Sequence, residues 1–137
     1  MRILQIHCYK FSYEVRKETP VAEQPPNPRK EDLNDVLVCF ICYEKNDENR
    51  EDEIAEKFLQ NLKIDVGRIK CKRLLLYPYA HLSNNLGSPK RAKTFLNSLR
   101  DRLLETGIEV YKSPFGWYKE FTLSCIGHPL AEAYREY

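Results

Sequence analysis

The chain has 137 residues, of which 42% are hydrophobic and 31% are charged, and its formal net charge is +2. This size suits one domain with one core, and the balance excludes a disordered chain or a polyelectrolyte tail. No stretch approaches the roughly 18 apolar residues of a membrane span, and the start MRILQIHCYKF lacks a signal-peptide cleavage site. Five cysteines, an odd number, do not suggest a disulfide framework. We therefore expect one soluble, cytoplasmic domain over residues 1–137.

The charge is distributed unevenly along the chain. Residues 63–119 carry 12 Lys and Arg against 4 Asp and Glu, whereas residues 1–62 carry 9 against 13 and residues 120–137 carry 1 against 3. A basic zone can be an electrostatic footprint for phosphates, although helices with solvated basic faces give the same count. Contact with nucleic acid is therefore one of two open interpretations.

The first part of the chain has a β pattern. Met1–Cys8 and Phe11–Val15 are predicted to be two strands of a hairpin. Residues 16–34 contain four prolines among charged residues and are predicted to be an exposed loop. The apolar run Val36–Tyr43 is typical of a central strand that is covered on both faces.

Helical patterns alternate with strands in the middle of the chain. The acidic stretch Asp47–Glu53 is predicted to begin a helix that continues through Leu62, since carboxylates are favoured at a helix N-terminus. A buried strand follows at Arg73–Tyr77. A second helix is predicted to begin after a cap at Ser88 and to end before Gly107, which suits a left-handed conformation.

The last part of the chain completes the predicted fold. Ile108–Lys112 and Glu120–Ile126 are predicted strands, and Leu130–Tyr134 is predicted to be a short final helix. The order β-β-β-α-β-α-β-β predicts an α/β fold of the α+β kind. Its helices would lie on one face of a mixed sheet, and strand hairpins would cover the other face.

Few residues can carry acid-base or metal chemistry. Of the three histidines, His81 directly follows the carboxyl end of a buried strand, where open α/β sheets place their ligands. His7 is interpreted as a strand-end residue and His128 as a turn residue. Cys39 and Cys42 form a CxxC motif within a strand, where residues three apart face opposite ways and cannot grip one metal ion.

Aromatic residues are concentrated in Ser113–Phe121 (SPFGWYKEF). Neighbouring residues on a strand face opposite ways, so some of these rings must be exposed. Exposed rings beside Lys119 are suited to stacking on a base while the ammonium meets a phosphate or a hydroxyl. Cys125 could be a nucleophile paired with His81, although a strand cysteine is usually a small hydrophobe.

Four motifs together resemble the amino-terminal editing domain of archaeal threonyl-tRNA synthetase across the whole chain. They are ILQIH at 3–7, YPYAHLS at 77–83, SPFGWYKEF at 113–121 and SCIGHPLAE at 124–132. The resemblance implies a D-aminoacyl-tRNA deacylase-like fold, with two strands, two βα units and three strands. Two positions differ from the family pattern: the opening strand continues as Cys8-Tyr9 instead of Ser-Asp, and Tyr43 replaces a small aliphatic residue.

The resemblance also implies a function. The domain would hydrolyse the ester of L-serine mischarged on threonine tRNA, with the 2′-hydroxyl of the terminal ribose helping to activate water. It would need neither a metal nor a cofactor, and it would act as a homodimer beside a synthetase catalytic core. The residues implied are Lys119, Tyr118, His81 and Glu132 around the serine and the water, Pro78 and Ala80 as backbone and wall, and Tyr43 and Phe115 around the terminal adenosine.

Two alternatives remain open from the residues. The shared fold would also suit a D-aminoacyl-tRNA deacylase that acts on many tRNAs. A non-catalytic module that docks tRNA through the basic zone is the alternative from a different class.

Overall fold

The structure, a computed structural model, describes residues 1–137, which contain six strands and two helices. Neither helix combines the length and the hydrophobicity of a membrane-spanning segment. The strands are β1 (Arg2–Glu18), β2 (Lys30–Cys42), β3 (Arg73–Pro78), β4 (Glu109–Lys112), β5 (Trp117–Cys125) and β6 (Glu132–Glu136). The helices are α1 (Glu51–Ile69) and α2 (Pro89–Leu104).

All six strands form one mixed sheet in the order β4-β3-β2-β1-β5, and β6 also pairs with β1. Strands β2, β3 and β4 are parallel because a helix connects each to the next. Strand β1 is antiparallel to β2 on one side and to β5 and β6 on the other. The mixed sheet predicted from the sequence is confirmed.

Both helices pack on the same face of the sheet, as predicted. Their apolar stripes, which include Phe58 of α1 and Leu99 of α2, are fully buried in one cluster with Ile3, Cys39 and Leu74 of the strands. Helix α2 begins at Pro89 after Ser88, as predicted, although the Ser88 side chain makes no capping hydrogen bond. Gly107 has φ +80, as its left-handed role required, and lies three residues beyond the last helical residue, Leu104. Helix α1 continues seven residues beyond the predicted Leu62, to Ile69.

The second face of the sheet is closed by aromatic residues. The Phe11 ring of β1 lies 5.7 Å from the Tyr77 ring of β3, although these strands are not neighbours in the sheet. The Phe121 ring of β5 also lies 5.8 Å from the Tyr77 ring, although two strands separate β5 from β3, so the sheet curls towards this face. Phe40 and Phe121 contact both the Phe11 and the Tyr77 ring and complete the cluster.

The predicted hairpin at the start of the chain is wrong. Residues 2–18 form one continuous strand that pairs with β2 along most of its length. Cys8-Tyr9-Lys10 contains none of the Gly, Asn or Pro residues that a tight turn requires. It holds a register shift against β5 instead, which is typical of a β-bulge. The segment without regular structure therefore covers residues 19–29 and is shorter than the predicted loop at 16–34.

The predicted final helix at Leu130–Tyr134 is also wrong, because β6 occupies Glu132–Glu136. Its residues alternate between more and less exposed, and they pair with Arg2–Ile6 of β1. A five-residue helix is too short to be stable by itself, whereas β6 satisfies backbone groups along the free edge of β1. Three strands therefore follow α2, as the family resemblance implied, and β5 begins three residues before the predicted Glu120.

Candidate active site

A cavity of about 450 Å³ lies where β2 and β3 end. Its walls are the ends of those two strands, the first turns of α2, the turn at 113–117 and the start of β5. The carboxyl ends of neighbouring parallel strands meet at one edge of the sheet, so the segments that follow them enclose common space. Seven of the eight predicted site residues line this cavity: Tyr43, Pro78, Ala80, His81, Phe115, Tyr118 and Lys119.

Lys119 supplies the buried charge of the cavity. Its Nζ donates hydrogen bonds to the carbonyl oxygens of Pro114 (2.9 Å) and Trp117 (3.1 Å) and lies 4.9 Å from the centre of the Tyr77 ring. Burial lowers the pKa of this ammonium to about 8, and the neighbouring charge of Lys112 acts in the same direction. An ammonium has three N–H donors, so one is left for a ligand.

The turn that accepts these hydrogen bonds is held by the segment 19–23. The Glu23 carboxylate accepts hydrogen bonds from the Phe115 N–H (2.6 Å) and from Lys112 Nζ (2.9 Å), and Trp117 Nε1 donates to the Glu23 carbonyl (2.9 Å). Burial alone would raise the pKa of Glu23, but these partners hold it below its ordinary value. Gly116 has φ +75, and a Cβ there would lie 2.8 Å from the Ala22 backbone.

Tyr43 forms the opposite wall with α1 and α2. Its hydroxyl donates to Glu51 Oε1 (2.6 Å), and its ring lies 5.5 Å from that of Phe95. Burial and the Glu51 carboxylate raise the pKa of the Tyr43 hydroxyl, which therefore stays protonated. A Cβ on Gly87 would lie 2.6 Å from the Tyr43 ring, so glycine is required for this close approach. The Tyr43 ring is a fixed, buried surface.

The rim of the cavity carries exposed polar and aromatic groups. The His81 ring meets the edge of the Tyr79 ring at 5.0 Å and is open to solvent. Tyr118 is 59% exposed, which confirms that some rings of this aromatic segment face outward. Ala80 offers its carbonyl to the Cys42 thiol (3.7 Å). Burial raises the pKa of Cys42 to about 11, so this cavity thiol is not a thiolate at neutral pH.

Glu132, the eighth predicted residue, lies outside this cavity. It is exposed on β6, and its Oε1 lies 3.9 Å from Cys125 Sγ. Lys119 and Cys125 are six residues apart on the same strand, which corresponds to about 20 Å. Within one chain the Glu132 carboxylate is therefore remote from the Lys119 ammonium.

Sequence reasoning missed the residues that hold the site in place. Thr19, Glu23 and Gly116 join the irregular segment to the aromatic turn, and Thr19 Oγ1 donates to the Gly116 carbonyl (2.6 Å). No local pattern marks Glu23, because its partners lie about 90 residues away. Gly116, within an otherwise aromatic run, was the one available signal of a close backbone approach.

A separate polar cluster lies between the middle of β1, the middle of β2 and the residues just before β3. Ligand atoms of His7, Asp35 and Cys71 lie within 4.8 Å of one another there. The Leu130 N–H donates to His128 Nδ1, so His128 carries its proton on Nε2 and donates it to His7 Nδ1. His7 Nε2 must then be protonated, and it donates to Asp35 Oδ1 (3.0 Å). This relay occupies both His7 nitrogens and opposes metal binding, because a ligating nitrogen must be unprotonated.

The family model described as the archaea-specific editing domain of threonyl-tRNA synthetase matches residues 1–137. The chain belongs to this family. It is 42% identical over 135 residues to a threonine–tRNA ligase of Methanopyrus kandleri, and 43% identical over 145 residues to one of Caldivirga maquilingensis. Each match covers 98% of this chain but 22% of the relative. The chain therefore spans about a fifth of the length of these relatives.

The fold is also found in a solved structure of much lower sequence similarity. The protein is similar over its whole length to the c-Myc DNA unwinding element binding protein, with a TM-score of 0.67 and 11% identity, covering 99% of that chain. At this identity the likeness shows the fold alone. The D-aminoacyl-tRNA deacylase-like fold implied by the sequence motifs is confirmed.

Proposed function

We propose that residues 1–137 act as one editing domain that hydrolyses the ester of L-serine mischarged on threonine tRNA. The observation that carries this proposal is the Lys119 ammonium, which has one free donor inside a cavity with apolar walls, in a chain of this family. Serine lacks one methyl group of threonine, and one such group is worth only about 1–3 kcal/mol of discrimination in a pocket. A synthetic site therefore benefits from a second site that removes the smaller product.

The residues around the cavity suit different parts of the substrate. Lys119 orients the serine moiety and the ester, and His81 and Tyr118 at the rim contact the serine and the attacking water. Pro78 and Ala80 provide a short wall that limits the size of the amino acid. The Tyr43 and Phe115 rings border the terminal adenosine.

Water activation is assigned to the substrate itself. The cavity offers no thiolate, since Cys42 stays protonated, and the Tyr43 hydroxyl is committed to Glu51. The 2′-hydroxyl of the terminal ribose is adjacent to an ester on the 3′-oxygen. It can therefore assist water within the bound complex, and the protein side chains position the reacting groups.

The first test compares amino acids on one tRNA. The purified chain is expected to hydrolyse L-serine from threonine tRNA much faster than it hydrolyses L-threonine from the same tRNA. The reason is that the wall at Pro78 and Ala80 accommodates the smaller side chain. Release of labelled amino acid measures both rates. Preferential hydrolysis of D-aminoacyl esters would favour the D-aminoacyl-tRNA deacylase that shares this fold. Binding of tRNA without turnover would favour a docking module.

The second test removes the 2′-hydroxyl. Seryl-tRNA that ends in 2′-deoxyadenosine should bind comparably, because one hydroxyl is lost among many contacts. Its hydrolysis should fall by about 10²- to 10⁴-fold, the usual worth of acid-base assistance. His81→Ala should lower the rate on the normal substrate only modestly. Full activity on the deoxy substrate together with near-complete loss in His81→Ala would make His81 the base and contradict this mechanism.

The proposed partners follow from this reaction. They are the aminoacylated 3′ end of threonine tRNA, the L-serine that is released, and a synthetase catalytic core that supplies the mischarged product in the cytoplasm. We also assign a homodimer, since the Glu132 carboxylate can meet the Lys119 cavity only if a second copy brings it there.

A further inference from the structure

Helix α2 carries five basic residues, and only those on one flank form ion pairs. On the flank that faces α1, Arg91 pairs with Glu51 (2.7 Å), and Arg102 pairs with Asp52 and Glu56. The basic residues towards the other flank, Lys90, Lys93 and Arg100, form no ion pair within 4 Å and make no side-chain hydrogen bond, although Lys90 also borders the groove between α1 and α2. Helix–helix packing therefore explains the charges of the first flank and leaves those of the second unexplained.

The three unpaired residues share one stripe. The spacings from 90 to 93, from 93 to 97 and from 97 to 100 are three, four and three residues, so Lys90, Lys93, Asn97 and Arg100 are successive neighbours along one side of the helix. Lys90 and Arg100 are exposed, and Lys93 and Asn97 are partly exposed. At about 1.5 Å per residue the stripe is about 15 Å long. The nearest acidic residue in the sequence, Asp101, makes no ion pair with it.

The stripe adjoins the cavity. Pro89, Ala92 and Leu96 of the same helix line the cavity wall. Lys93 is four residues from Pro89 and three from Leu96, and Arg100 is four from Leu96, so the stripe and the cavity-lining row are adjacent on the helix surface. The unpaired basic residues of α2 therefore lie directly beside the cavity.

We propose that Lys90, Lys93 and Arg100 form a phosphate track that holds the acceptor strand of the tRNA while its 3′ end occupies the cavity. This inference rests on the proposed function. Unpaired cations along a line suit the phosphates of a nucleic acid strand, which recur along the backbone and bind through released counterions. Asn97, between Lys93 and Arg100, adds a neutral donor that can reach a phosphate or a ribose hydroxyl. The track accounts for part of the basic zone at residues 63–119.

The test uses two triple variants of the 137-residue chain. The track variant carries Lys90→Gln, Lys93→Gln and Arg100→Gln. The control carries Lys63→Gln, Arg68→Gln and Lys72→Gln, which removes the same charge from residues without ion pairs at the C-terminal end of α1 and before β3. Binding of uncharged threonine tRNA is measured between 50 and about 200 mM salt, a range over which phosphate contacts change affinity strongly.

The track variant is expected to bind at least about tenfold more weakly than the control. The slope of log K against log salt should fall by about 2–3, because each lost phosphate contact removes roughly 0.7–0.9. On seryl-tRNA the KM should rise while kcat is kept, and hydrolysis of the short ester 3′-O-seryl-adenosine should equal that of the control. Equal tRNA binding by the two triple variants would overturn the track. Absence of seryl ester hydrolysis in the parent chain would instead overturn the proposed function, and the binding comparison would still decide the track.

Discussion

The Lys119 ammonium can bind a substrate because it is partly removed from water, and this desolvation lowers its pKa. Its ammonium is buried against the Tyr77 ring, yet two carbonyl oxygens of its own turn keep it in place. Burial disfavours the charged form, which explains a pKa of about 8 instead of the usual 10.5. At neutral pH the side chain is still mostly protonated, so it can donate its third hydrogen bond to a substrate.

The protonation of Lys119 should be visible in the pH profile of deacylation. The rate, corrected for spontaneous ester hydrolysis, should be steady up to about pH 7 and should fall as the pH rises through the pKa of about 8, because the neutral amine is a poorer donor. Lys119→Met should lose about 1–3 kcal/mol of transition-state binding and should also lose this alkaline limb. A parent-like profile and rate in a folded Lys119→Met variant would remove Lys119 from the site.

Local signals singled out His81 and Lys119, the family resemblance implied the other residues that line the cavity, and neither indicated the residues that support them. His81 and Lys119 lie in short motifs at the end of a strand and in an aromatic run, where position and neighbours are local signals. Glu23 has its effect through Phe115 and Lys112, about 90 positions along the chain, and lies in a segment interpreted as an exposed loop. These long-range contacts depend on how the whole sheet folds, and a short stretch of sequence does not predict that.

At the scale of elements, the junction between the segment 19–23 and the turn 113–117 fixes the site. Thr19 N and Oγ1 both donate to the Gly116 carbonyl, and the Glu23 N–H donates to the Phe115 carbonyl. The same turn presents the Pro114 and Trp117 carbonyls to Lys119. The geometry of the ammonium is therefore set by a segment without regular secondary structure.

Gly116→Ala should loosen this junction. The backbone at Gly116 has φ +75, which costs roughly 1–2 kcal/mol for a residue with a Cβ, and the new Cβ would meet the Ala22 and Val21 backbone at 2.8 Å. Urea unfolding should show a loss of about 1–3 kcal/mol, and deacylation should fall because the acceptors of Lys119 move. Gly67→Ala is the matched control, since nothing lies within 4 Å of its Cβ and alanine suits the interior of α1. Similar values for the two variants would contradict the proposed role of the junction.

Helix α2, which was predicted from several agreeing signals, is present, whereas the final helix, which was predicted from one short pattern, is not. Helix α2 had a cap, an initial proline, an apolar stripe and a terminal glycine, and the structure contains it within three residues of the prediction. The predicted final helix rested on a short apolar pattern after a turn. Pairing with the free edge of β1 outweighed that local preference and produced β6.

At the scale of the whole molecule, the cavity and the histidine relay lie in different parts of the sheet. The carboxyl ends of β2 and β3 border the cavity, as open α/β sheets predict. The His128–His7–Asp35 relay lies away from this edge and joins the turn before β6 to the middle of β1 and of β2. Glu132 follows this turn on β6, about 20 Å along the sheet from Lys119. A single chain therefore keeps two of the predicted site residues apart.

A mixing experiment tests whether a second copy brings them together. Lys119→Met and Glu132→Gln should each lower deacylation when assayed alone. In a dimer whose cavities combine Lys119 of one subunit with Glu132 of the other, a mixed dimer of the two variants contains one cavity with both native residues and one with neither. Co-refolded mixtures should therefore regain a substantial fraction of the parent rate, and light scattering should report twice the chain mass of 16.2 kDa. If the mixture shows only the average of the two variant rates, Glu132 does not act across a dimer interface, and its distance from Lys119 within one chain then excludes it from the site.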